Sequence, residues 1–146
     1  MSRKSNPNPA IPNNGRPLWR LLLLWLPPFL WMGVIFAASS VPATALPSPP
    51  EYVMFLAHFL EFFILGILLF RAMNGGLRNP VTLAALFIAF LLCFGYGVLD
   101  EFHQLFVPGR VPDLLDLAAD MAGAATACLI SWIALTAIHR ARGLAE

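Results

Sequence analysis

Charge is what this sequence most lacks. Only 12% of its 146 residues are Asp, Glu, Lys or Arg, against about 25% in a typical water-soluble domain. The formal net charge is +1 and no basic tract occurs, so the pattern expected of a nucleic-acid binder is missing. Cysteine is also scarce. Cys93 and Cys128 both lie in apolar runs and read as small buried hydrophobes, not as a disulfide framework or a CxxC metal site. No internal repeat stands out. What is present in excess is apolar surface: 59% of the residues are hydrophobic. A chain this short cannot hide that much in a single water-soluble domain, so its solvent is expected to be lipid.

The apolar residues fall into four runs, Leu18 to Ala38, Tyr52 to Phe70, Val81 to Leu99 and Leu114 to Ile138. Each has roughly the 20 residues a helix needs to cross about 30 Å of hydrocarbon. Helices satisfy their own backbone, which lipid demands. The expected fold class is therefore all-α, a polytopic membrane protein with four transmembrane helices in a small bundle. Residues 1–17, rich in Asn and Pro, read as a disordered tail. Residues 18–140 form the membrane domain and 141–146 a second tail. Pro27-Pro28 should kink the first helix. A cleaved signal peptide is the rival reading of that run, since Ala43-Thr44-Ala45 resembles a cleavage site. The run is longer than the usual h-region of about 7–15 residues and contains two prolines, which favours a retained span.

The connections are short. Asn74-Gly75-Gly76 and Asn79-Pro80 are turn signals, and Pro108-Gly109 suits a type II turn. Basic residues near helix ends set the orientation. Arg3, Lys4, Arg16, Arg20, Arg71, Arg78, Arg140 and Arg142 would share one side of the membrane, leaving only Arg110 on the other. Both termini and the 71–80 loop are thus expected in the cytoplasm, and the protein in the inner (cytoplasmic) membrane.

With that orientation Glu51, Glu61, Asp100, Glu101, Asp113, Asp116 and Asp120 all fall at or near outer helix ends. His58 and Glu61 are three residues apart and share a helix face. Asp100, His103 and Gln104 share another, flanked by Glu101. Asp113, Asp116 and Asp120 form a stripe on the last helix, and Arg110 sits in the turn before it. An Asp at the centre of a membrane helix costs about 2.5–3.5 kcal/mol, and such groups face the bundle interior and pair there. The candidate site is therefore His58, Glu61, Asp100, Glu101, His103, Gln104, Arg110, Asp116 and Asp120. Arg110, the one strong cation on that side, is expected to bond one or two of the carboxylates. Glu51, Asp113 and Glu101 can also be read simply as an outer polar cap, since helix ends at an aqueous interface are allowed to be polar. Gly66, Gly95, Gly97, Gly123 and the small-xxx-small row Ala119, Gly123, Ala127 read as helix packing.

The stretch Asp100-Glu101-Phe102-His103-Gln104, followed by Pro108-Gly109-Arg110, resembles the signature of the VanZ-like family. Asp116, Gly123, His58-Phe59, Leu65-Gly66 and Ser39-Ser40 extend the likeness over roughly residues 20–138. Two positions depart from it. Asp120 aligns with a position more often Asn, and Val53, Met54 and Phe55 stand where many relatives carry a basic residue. The resemblance implies a bacterial integral membrane protein with a cell-envelope role. The family's named member belongs to glycopeptide-resistance clusters and is associated with low-level teicoplanin resistance. No established reaction comes with it.

Three functions fit these residues. The first is a non-enzymatic envelope protein whose partners are membrane lipids, an envelope polymer or a lipoglycopeptide, with no cofactor and no metal. The second is an intramembrane enzyme acting on a lipid-linked substrate, metal-dependent if the i, i+3 His and carboxylate pairs ligate. The third is transport or proton coupling, which four short helices would achieve only as a homo-oligomer.

Overall fold

The structure is a computed structural model that describes residues 17–45 and 49–143. Residues 1–16 of the tail expected over 1–17, and the last three residues, lie outside the described residues. Four helices account for nearly all of the rest: α1 (Leu18–Ser39), α2 (Glu51–Met73), α3 (Leu83–Gln104) and α4 (Leu114–Gly143). A single 3-10 turn, Ala43–Ala45, lies between α1 and α2. All four helices are long and apolar enough to cross a membrane. No strand occurs among the described residues.

The helices alternate in direction, so the bundle has two chemically distinct ends. One gathers the α1–α2 and α3–α4 connections with most of the carboxylates, and is called the acidic end below. The other gathers Arg20, Arg71, Arg78, Arg140 and Arg142, and is the basic end. Helix α3 overruns its apolar run by five residues. That keeps Asp100 to Gln104 helical and fixes which of them share a face.

Packing is closest between α2 and α4. A Cβ added at Gly123 would collide with Phe59 O, and one at Gly66 would lie 2.8 Å from Ala127 Cβ. Only a residue without a side chain lets α4 approach the α2 backbone this closely. The row Ala119, Gly123, Ala127 is thus packing, as its spacing predicts. Ile35, Phe62, Leu65, Leu69, Phe70, Ala89, Cys93 and Ala124 fill the interior. Helix α1 is peripheral and buries little of itself. Its apolar residues Leu22, Leu26, Phe29 and Leu30 are more than half exposed, as a lipid-facing surface would be.

Helix α1 continues through Pro27 and Pro28. Neither proline has an N–H to donate, which frees the carbonyls of Leu23 and Leu24. Arg71 takes up the first: its Nη1 donates to Leu23 O at 3.1 Å. At the same end Asn74 and Asn79 close the α2–α3 turn. Asn79 Nδ2 donates to Asn74 O at 2.8 Å, Asn74 Nδ2 donates to Asn79 O at 3.2 Å, and Asn74 Oδ1 receives Thr82 N at 3.3 Å. His139 Nε2 lies 3.0 Å from Asn79 O, tying the end of α4 to the same turn.

Candidate functional site

At the acidic end, Pro108 and Gly109 form the type II turn their sequence implies. Gly109 has φ +77°, which favours glycine at that position, and Arg110 N donates to Val107 O at 3.1 Å. Ala43 N donates to Pro108 O at 3.2 Å, holding this turn against the end of α1.

Three polar groupings lie beneath the turn. In the first, His58 of α2 sits between two carboxylates of α4. Its Nδ1 is 3.1 Å from Asp120 Oδ1 and its Nε2 is 3.5 Å from Asp116 Oδ2. Asp116 and Asp120 are one turn apart, so one imidazole reaches both. Asp120 is fully buried. Its second oxygen faces Gly97 of α3, where an added Cβ would come within 3.1 Å, and it has no hydrogen-bond partner. In the second grouping, Asp100 Oδ2 accepts both Ser39 Oγ at 2.8 Å and Gln104 Nε2 at 3.1 Å, while Asp100 Oδ1 has no partner. In the third, His103 Nε2 lies 2.9 Å from Ser40 Oγ and the ring packs on Phe36 with centroids 4.3 Å apart.

The nine candidate residues therefore do not form one cluster. His58, Asp116 and Asp120 meet directly, and Glu61 borders a cavity beside His58. Asp100 and Gln104 pair with each other, and His103 turns aside to Ser40. Glu101 does local work: its Oε2 receives Asp113 N at 2.8 Å, while Asp113 Oδ1 receives Leu115 N at 2.8 Å. These two bonds cap the start of α4, where unpaired backbone N–H groups need acceptors.

The ion pair expected of Arg110 is not formed. Its Nε donates to the backbone carbonyl of Val41 at 3.2 Å. Among the described residues no carboxylate lies within 4 Å of its guanidinium, and the terminal nitrogens have no hydrogen-bond partner. The tethered turn is the reason, because it brings Arg110 to the end of α1 before it can reach the acidic stripe.

Ser39 and Ser40 were not among the candidate residues, yet each holds one. The signal was there, as two adjacent hydroxyls ending an apolar run. Trp31 adds a further tie, with its Nε1 donating to Glu61 O at 2.9 Å.

Two cavities open among these residues. The outer one, about 690 Å³, is bounded by the 41–43 segment, Pro49, Glu51, Met54, Gln104, the 109–111 turn, Asp113 and Asp116. The inner one, about 110 Å³, is bounded by Ala38, Ser39, Met54, Ala57, His58, Glu61, Gln104 and Arg110. Met54, Gln104 and Arg110 border both, so they form the throat between them. The outer cavity is of ligand-binding size, within the usual range of about 300–1,000 Å³. The inner one is not, though a few waters would fit at about 30 Å³ each. Among the described residues no group of three or more His, Cys, Asp and Glu is placed to hold a metal ion.

These features define a class: a multi-pass helical membrane bundle with buried polar groups and a ligand-sized cavity at one end. The chain belongs to the VanZ/LLP1 family, whose pattern it matches over residues 24–135. That span covers all four helices in large part. Comparison with curated proteins and with solved structures gives no significant match.

Proposed function

We propose that this protein is a non-enzymatic component of the bacterial cell envelope that binds the headgroup of an amphiphile in the outer cavity. In this reading it lies in the cytoplasmic membrane with both termini inside and the acidic end facing out. Weak protection against a lipoglycopeptide such as teicoplanin would follow from the same binding.

One observation carries the reading. Arg110 stands at the throat of a ligand-sized cavity, and among the described residues its terminal nitrogens have no partner. A guanidinium offers a planar fork matched to phosphate or carboxylate. Here its Nε donates to Val41 O, and among the described residues its terminal nitrogens have no partner. The cavity walls beside it, Val41, Pro42, Met54 and Val111, are apolar, as suits a ligand with both a charged head and a hydrocarbon body.

The test is a deletion strain challenged with envelope stresses and lipoglycopeptides, then complemented with wild type or Arg110→Ala. Wild type should restore tolerance and Arg110→Ala should not, at equal membrane abundance. Full rescue by Arg110→Ala would remove the basis of the proposal. The orientation is checked separately. A reporter fused after Arg142 should report cytoplasm and one inserted after Ala45 the exterior.

A further inference from the structure

We infer that the headgroup this cavity takes is zwitterionic, a phosphate joined to a primary ammonium, as in an amino-phospholipid of the surrounding bilayer. The inference rests on the binding reading above and adds the chemical class of the ligand.

The cavity is electrically mixed. Arg110 presents terminal nitrogens that have no partner among the described residues, while Glu51, Asp113 and Asp116 border the same space. Asp113 is engaged in capping α4 and Asp116 faces His58. Glu51, the first residue of α2, is exposed, and among the described residues its carboxylate has no partner. A purely anionic headgroup would satisfy Arg110 but meet three carboxylates. A purely cationic one would leave the guanidinium unmatched. A ligand carrying both signs satisfies each set.

Gln104 bears on the cationic half. It is 2% exposed and borders the cavity. Its Nε2 is used by Asp100, while its side-chain oxygen accepts nothing among the described residues. That leaves the Gln104 oxygen at the throat available to accept from a ligand donor. A primary ammonium has three N–H donors to share between Gln104 and Glu51. A quaternary ammonium has none and is usually held by aromatic rings. No aromatic residue is among the described residues bordering this cavity. The source of the ligand follows from the rim: Val111 is 78% exposed and Leu114 is 83% exposed. A lipid's acyl chains would lie over this apolar surface while the headgroup enters.

The experiment is native mass spectrometry of the full chain in detergent with phosphatidylethanolamine, phosphatidylcholine or phosphatidylglycerol added at equal concentration. Wild type should retain phosphatidylethanolamine about tenfold better than either other lipid, the effect of one charge-assisted hydrogen bond. Glu51→Gln lies on the surface and leaves the bundle intact. It should erase most of that preference without lowering phosphatidylglycerol retention. Arg110→Gln should lower retention of all three. Equal retention of the three lipids by wild type, all lost in Arg110→Gln, would overturn the zwitterion assignment while leaving headgroup binding intact. Retention unchanged in Arg110→Gln would instead sink the binding reading itself. Soluble glycerophosphoethanolamine at matched concentration should not displace the lipid; displacement would overturn the lipid as the source.

Discussion

The two ends of this bundle solve the same problem differently. At the basic end the polar side chains are spent on closing the structure. Asn74 and Asn79 bond the turn that carries them, His139 reaches Asn79, and Arg71 takes the carbonyl that Pro27 releases. At the acidic end, among the described residues, Asp100, Glu101 and Asp120 each keep a buried oxygen without a partner, and the Arg110 terminal nitrogens have none either. Leaving a buried polar atom unpaired costs about 1–3 kcal/mol, and more where it is charged. An end that bears this cost beside a ligand-sized cavity differs from one that avoids it. The difference separates a structural end from a candidate functional one.

Substitutions sharpen the contrast. The largest effect is expected within the acidic end. Asp120→Leu removes the nearer and fully buried of the two carboxylates beside His58 and should destabilise the protein by about 3 kcal/mol, read as thermal unfolding in detergent. The double variant His58→Leu with Asp120→Leu should recover much of that loss, because the polar pair leaves together. A double variant no more stable than the single one would mean that the pair is not coupled.

Next comes Asn74→Ala at the basic end. It deletes the bonds to Gly76, Asn79 and Thr82 and should cost about 1–3 kcal/mol with no change in lipid retention. A change in retention would break the division of labour between the ends. Arg71→Met exposes Leu23 O and should cost about 1 kcal/mol in the same assay. The smallest effect on stability, within about 0.5 kcal/mol, belongs to Arg110→Gln, which should nonetheless lose ligand. A large stability loss there would make Arg110 a structural residue like its counterparts at the other end.

Much of the fold was legible from the residues alone. Four apolar runs gave the four helices because lipid admits only segments that satisfy their own backbone. The glycine and alanine row on α4 announced a close contact because only small residues permit one. The candidate site was legible in its residue types but not in its pairings. Asp100 finds Ser39 and His58 finds Asp120 across separations of 61 and 62 positions. Helical periodicity says which residues share a face, but not toward which neighbour that face is turned. The partner expected of Arg110 was missed for a related reason. Its charge favours a carboxylate, but the Pro108-Gly109 turn is tethered to Ala43, and the backbone of Val41 lies closer.

The sequence by itself determined the solvent, the number of spans and the gathering of acidic groups at one end. Those depend on composition and on position along the chain. Only the tertiary structure decided which acids meet His58, which serines hold Asp100 and His103, and that a cavity opens beside the Arg110 guanidinium. Those depend on how the helices rotate and how closely they approach, which side-chain packing across the whole bundle fixes and no local stretch encodes.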